Sequence, residues 1–249
     1  MRRSRGILAI TITVFLWVTP AGAAPLQVYF NNFDVPPTSG GGATGVLSGI
    51  TNEENVQSYA GLGVPGNMFG GEMLRNTTVP PLPTILTLSG LPAHDSIDIA
   101  FLLAIIDSWD STNGSNAPDF FNVSLDGVSL MQRTYNNTSG SVNNATGTDI
   151  GGGCQGRGFN NGFCDQAFDT STEGALNVAH SGSTATISFF ASGAGWQGGS
   201  DESWGIDNVS IFINTVTNGL PGPSVPEPGT IALLAVGLVG LAAARRRIG

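Results

Sequence analysis

Two short stretches hold most of the residue types that could do chemistry. The first is Asp107-Ser108-Trp109-Asp110, with Asp119 after a short polar loop. The second is Asp201-Glu202-Ser203-Trp204-Gly205-Ile206-Asp207-Asn208-Val209. Each sets an acid, a serine and a tryptophan at the end of an apolar run, with another aspartate close behind. Carboxylates suit a hard cation such as calcium, which takes about six to eight oxygens. A facing pair, Asp107 with Asp201, could instead serve as acid and base in glycoside cleavage. A tryptophan beside them either stacks on a sugar ring or fills a core.

Strand geometry sharpens one of these positions. On a final strand, Val209, Ile211 and Ile213 share one face, and Asp207 has the same parity. A carboxylate at the end of a buried row must be paired, hydrogen-bonded or bound to a cation. Asp34, just after the first strand, could join it. The calcium candidates are therefore Asp34, Asp107, Asp110, Asp201 and Asp207, and the sugar-contact candidates are Trp109 and Trp204. The competing reading has Asp207 accepting backbone N–H groups in a bulge and both tryptophans in the core.

Signals for catalysis are sparse. The chain has two histidines and nine basic residues, all arginine. His94 and His180 each sit beside a turn, where a solvent-exposed or capping role is expected. No Gly-x-Ser-x-Gly elbow, His-Glu-x-x-His helix or phosphate loop is present. A non-enzyme is expected.

These residues must be positioned by strands. The 36 glycines, with many Asn, Ser and Thr, indicate frequent turns, and long helical periodicity is missing from the body. Leu26–Phe30 reads as the opening strand, Thr84–Leu88 as another and Ser96–Ile106 as a central, strongly apolar one. Phe121–Leu125, the Asp126-Gly127 turn and Val128–Tyr135 form a hairpin, because Asp-Gly suits a type I′ turn. Ala175–His180 and Thr184–Ala191 read as a second hairpin, and Trp204–Ile213 as the closing strand. Residues 136–161 read as a polar loop. Within it fall Cys154 and the start of a nine-residue spacing to Cys164, expected as a disulfide in an oxidising compartment. The expected fold is all-β, a jelly-roll-like β-sandwich over residues 24–213.

Both ends differ from this body. Arg2, Arg3 and Arg5 precede the apolar Gly6–Val18, and Ala21-Gly22-Ala23 supplies a small-x-small cleavage site, so residues 1–23 read as a signal peptide. Residues 214–224 read as a linker. Val225-Pro226-Glu227-Pro228 then precedes an apolar run from Ile231 to Ala244 and the cluster Arg245-Arg246-Arg247. As a helix that run is about 21 Å long, short for a hydrocarbon core of about 30 Å. The arginines would stay on the cytoplasmic side. Between residues 24 and 244, three arginines face 18 acidic residues, a net charge of −15. Such a surface gives nucleic acid no basic groups to bind.

In order, spacing and position, residues 225–249 resemble the PEP-CTERM sorting signal of exported bacterial proteins. The resemblance implies export, transient retention in the inner membrane, and processing by an exosortase-type enzyme near Val225, Pro226, Glu227 and Pro228. The body, over Thr84–Ile213, also resembles a family of exported proteins that commonly carry this tail. Its recurring features are a Leu-Pro-Ala-His turn (here Leu91–His94), a Ser-Trp-Asp stretch and a closing Asp-Glu-Ser-Trp-Gly-x-Asp-Asn-Val strand. Ser111 follows Asp110 where relatives often have glycine. Together these observations lead to an exported cell-surface or matrix protein. Its expected role is structural or adhesive, with calcium-supported contact to extracellular polysaccharide. The alternative is a carbohydrate-active enzyme using an Asp pair.

Overall fold

The computed structural model describes residues 24–55, 69–112, 115–137, 147–153 and 165–215. The signal peptide, the sorting tail, Cys154 and Cys164 lie outside these residues. The body falls in the unit Met1–Val216.

Every strand pairing among the described residues is antiparallel. One sheet runs in the order β10 (Thr148–Gly153), β11 (Asp165–Asp169), β7 (Ser96–Asp107), β14 (Glu202–Asn214), β1 (Leu26–Asn31) and β2 (Thr38–Ser39). Three short strands join it: β12 (Asn177–Ala179) pairs β7, β5 (Glu72–Asn76) pairs β14, and β4 (Glu53–Asn55) pairs β5. The second sheet runs β3 (Thr44–Gly49), β6 (Thr84–Ser89), β13 (Thr184–Ser192), β8 (Phe120–Leu125) and β9 (Val128–Arg133). Eight of these strands take the jelly-roll order, passing between the sheets at every step except the β8–β9 hairpin. They run β1-β14-β7-β11 on one side and β6-β13-β8-β9 on the other.

The apolar pattern explains why β7 is central. Ile97, Ile99, Phe101, Leu103 and Ile105 point into the space between the sheets. Leu102, Ala104 and Ile106 point the other way, onto Phe69, Met73 and Ile150. A strand buried on both faces needs a continuous apolar run rather than alternation. Ring pairs tie the sheets across the core, including Phe101–Phe189 and Phe121–Trp204, each with centroids 5.2 Å apart. Such pairs contribute about 0.5–1.5 kcal/mol each beyond the area they bury.

Two sequence expectations are corrected. Residues 177–179 and 184–192 do not form a hairpin: β12 pairs β7, whereas β13 pairs β6 and β8. His180 to Ser183 therefore carries the chain from one sheet to the other. The polar segment 136–161 also contains a strand, β10, aligned by its ladder to β11. The β8–β9 hairpin forms as expected, with Asp126 at φ 51° and Gly127 at φ 80°, the left-handed pair a type I′ turn requires.

Candidate functional site

The two acidic stretches meet because β7 and β14 are neighbours, with Glu202 opposite Asp107. Beyond β7 the chain turns at Asp107 (φ 65°) and again at Ser111 (φ 60°). Ser111 holds a left-handed backbone, a conformation glycine adopts more readily than serine. Asn137 holds the turn in place: its side-chain amide donates to Ile105 O at 3.1 Å and Asp107 O at 2.9 Å, and its backbone N–H donates to Trp109 O.

At this end of the sandwich one carboxylate oxygen from each of Asp110, Asp119 and Glu202 lies within 4.8 Å of the others. Asp110 follows β7, Asp119 immediately precedes β8 and Glu202 begins β14, so the cluster spans both sheets. Asp119 and Glu202 have no solvent exposure. Each has one oxygen fixed by the backbone. Asp110 N–H donates to Asp119 Oδ2, and Gln197 N–H donates to Glu202 Oε2, both at 2.8 Å. The other oxygens, Asp119 Oδ1 and Glu202 Oε1, are buried and have no donor. Burial is the main reason both carboxyls titrate well above the usual carboxylate range, with the neighbouring acids adding to it. The two also approach closely enough to share a proton.

Beside this cluster is a second set of charges. Arg75 on β5 donates from Nε to Ser203 Oγ at 2.9 Å, and its guanidinium lies 3.1 Å from Glu54 and 3.5 Å from Asp107. Asp165 Oδ1 accepts the backbone N–H of Asp107. Burial, then the Asp165 charge, pushes Asp107 up to about 6, while Arg75 pulls the other way. Asp201 accepts from Ser108 Oγ at 2.7 Å.

Asp207 lies elsewhere. It is five residues along β14 from Glu202, about 16 Å at strand rise. There β14 bulges, with Asn208 at φ 50°, and Asp207 Oδ1 accepts the Asn208 N–H at 2.6 Å. Burial, with the charge of Asp34 as a further cause, raises Asp207 to about 7. Asp34 Oδ1 in turn accepts from Glu72 N–H at 2.6 Å, beside a surface cleft that Glu53 and Glu72 also line.

The five calcium candidates thus do not share one site. Asp110 is in the three-acid cluster, and Asp201 is near enough for its charge to act on it. Asp107 faces Arg75, and Asp34 and Asp207 form a separate pair. The sugar-contact reading of the tryptophans is corrected outright. Trp109 is 0% and Trp204 1% exposed, so neither offers a face to a ligand. Trp109 stacks edge-on against Tyr135 and Trp196 and donates Nε1–H to Ser203 O at 2.8 Å. The exposed role expected of His94 is corrected too: its ring is buried against His180.

Asp119 and Glu202 stood in the two motifs but were not singled out as ligands. For Glu202 the available signal was its place directly before a Ser-Trp pair, as Asp107 is before the other; Asp119 had no such signal. Only the pairing of β7 with β14, and the arrival of β8 from the other sheet, shows which acids converge.

Fold and site together define a jelly-roll β-sandwich with a buried acidic cluster at one end. Residues 224–247 match the PEP-CTERM protein-sorting motif, so the chain carries a PEP-CTERM sorting tail and is an exported protein handled by an exosortase-type enzyme. No curated protein matches the chain. Among solved structures it is similar to the enzymatically active domain of tailspike protein 4 from bacteriophage CBA120. Identity there is 13%, with a TM-score of 0.28 over 69% of this chain and 19% of that one. A second similarity is to the structure of infectious bursal disease virus, Gt strain, at 13% identity and a TM-score of 0.25, covering 86% of this chain and 39% of that one. The chain spans well under half the length of either.

Proposed function

We propose that this is a structural component of the bacterial cell surface or extracellular matrix, delivered by its sorting tail and not catalytic. The observation that carries the reading is the sorting motif at residues 224–247, which follows the β-sandwich in the sequence. Support for a non-catalytic body comes from how the motif residues are used. Trp109 and Trp204 pack the core, and Asp107, one half of the hydrolase pair considered above, is buried beside Arg75. The acidic surface suits a hydrated polysaccharide layer held through cations rather than through aromatic stacking.

The test is to express the whole chain in a bacterium with an exosortase and follow the body with an antibody. The native chain should reach the surface or medium in a form shorter than its precursor. Glu227→Ala should stay in the inner membrane at a greater length. Identical size and location for the two would overturn the sorting role. Release of reducing sugar from matrix polysaccharide by the purified protein, lost in Asp107→Asn, would overturn the non-catalytic role.

A further inference from the structure

We infer that Asp110, Asp119 and Glu202 form a calcium site that staples the two sheets at one end of the sandwich. The inference stands apart from the surface role and does not depend on it. Three carboxylate oxygens within 4.8 Å of one another match what one ion can hold. Two ligands each about 2.4 Å from a calcium ion are at most about 4.8 Å apart. The donor set is all oxygen, with no imidazole or thiolate from these three residues, which selects a hard cation over zinc.

A second observation points to a ligand independently of the clustering. Asp119 Oδ1 and Glu202 Oε1 are fully buried and receive no hydrogen bond, while the partner oxygen of each is pinned by a backbone N–H. Buried carboxylate oxygens without donors are costly, and a divalent cation satisfies both at once. Pinning one oxygen also fixes where the other points, which is how metal ligands are oriented. Asp110 is only half buried, leaving a side from which the ion could enter and water could complete its shell. Because Asp119 leads into β8 and Glu202 begins β14, the ion would join strands of different sheets that share no backbone ladder.

The competing arrangement is one proton shared by Asp119 and Glu202 with no ion. The whole chain, purified in mild detergent and physiological potassium chloride, distinguishes the two. Thermal unfolding is followed in EDTA and in millimolar calcium, and terbium binding is read by luminescence on tryptophan excitation. Trp109, adjacent to Asp110, serves as donor. Calcium should raise the midpoint by about 5–10 °C, and terbium should bind at one equivalent and be displaced by calcium. Asp119→Asn and Glu202→Gln should lose both responses. Asp34→Asn should keep both, which sets the site apart from ions gathered by the acidic surface. A native chain whose midpoint ignores calcium, or responses that survive in Glu202→Gln, would overturn the site. In either case the shared proton becomes the account.

Discussion

His94 Nε2 lies 2.7 Å from His180 Nδ1, with the two rings stacked at 4.9 Å. His94 Nδ1 donates to Pro92 O at 2.6 Å, and a single hydrogen bond joins its Nε2 to His180 Nδ1, the tautomers setting which ring donates. His180 Nε2 then faces Asp126 Oδ2 at 3.2 Å, and Asp126 Oδ1 accepts from Thr186 N–H. This chain of contacts joins the turn before β7, the crossing between β12 and β13, and the β8–β9 turn. It braces both sheets.

Because the two rings act as a unit, His94→Ala and His180→Ala should each lower stability by about 1–2 kcal/mol. The double variant should lose less than the sum of the two. Denaturant unfolding of the four proteins in the cycle measures this. Strict additivity would mean that the rings are neighbours without mutual support.

Asp207 makes stability fall as pH rises. Its native carboxyl is raised to about 7, by burial first and then by Asp34, against 3.8 ordinarily. The native state therefore holds the proton more tightly than the unfolded chain. The stability this contributes is full below about pH 4 and is lost as pH climbs through about 7. Asp207→Asn keeps the acceptor for Asn208 N–H and removes the titration. Melting midpoints from pH 5 to pH 8 should decline less in the variant than in the native protein. Parallel curves would count against the assignment.

Gly193 is positioned to test the loop behind the acidic cluster. Its φ is +121°, and a Cβ there would lie 1.9 Å from Pro118 O, next to Asp119. Gly193→Ala combines a forbidden backbone angle with a clash against main chain, so it should destabilise by more than about 2 kcal/mol. By displacing Asp119 it should also weaken any calcium response. A variant as stable as the native protein would show that this loop yields easily.

The β10–β11 ladder ends on the partners Gly153 and Asp165. Cys154 follows the first and Cys164 precedes the second in sequence. Exported protein should show no free thiol to Ellman's reagent until it is reduced. Two reactive thiols before reduction would rule the disulfide out.

Much of the fold was legible because period-two burial is a local property. The apolar run in β7 and the Asp126-Gly127 turn follow from neighbours in sequence. The expected shared face of Asp207 with Val209 is corrected: the bulge between Asp207 and Ser210 leaves Asp207 opposite Leu102 on the outer face, while Val209, Ile211 and Ile213 stay in the core. Partner choice is not local. Ser181-Gly182-Ser183 looks like a hairpin turn, yet it changes sheets, and nothing in those residues states which ladder the next strand will join. Thr148–Gly153 has no apolar alternation and becomes a strand only through β11. The acidic cluster has the same cause. Asp110, Asp119 and Glu202 belong to three segments that converge only once the jelly roll has closed. Parity alone also misplaces Trp204: it has the parity of Ile206 but not of Val209, Ile211 and Ile213, and only the β14 bulge brings both sets into one core.

One feature of the topology bears on mechanics. The strand that leads toward the sorting tail, β14, is central: it is hydrogen-bonded to β7 along one side and to β5 and β1 along the other. A pull on the C-terminal end of the body therefore reaches a strand that cannot be peeled from an edge. Drawing it out means breaking ladders on both flanks together, so a load arriving through the tail falls on an interior strand of the sheet.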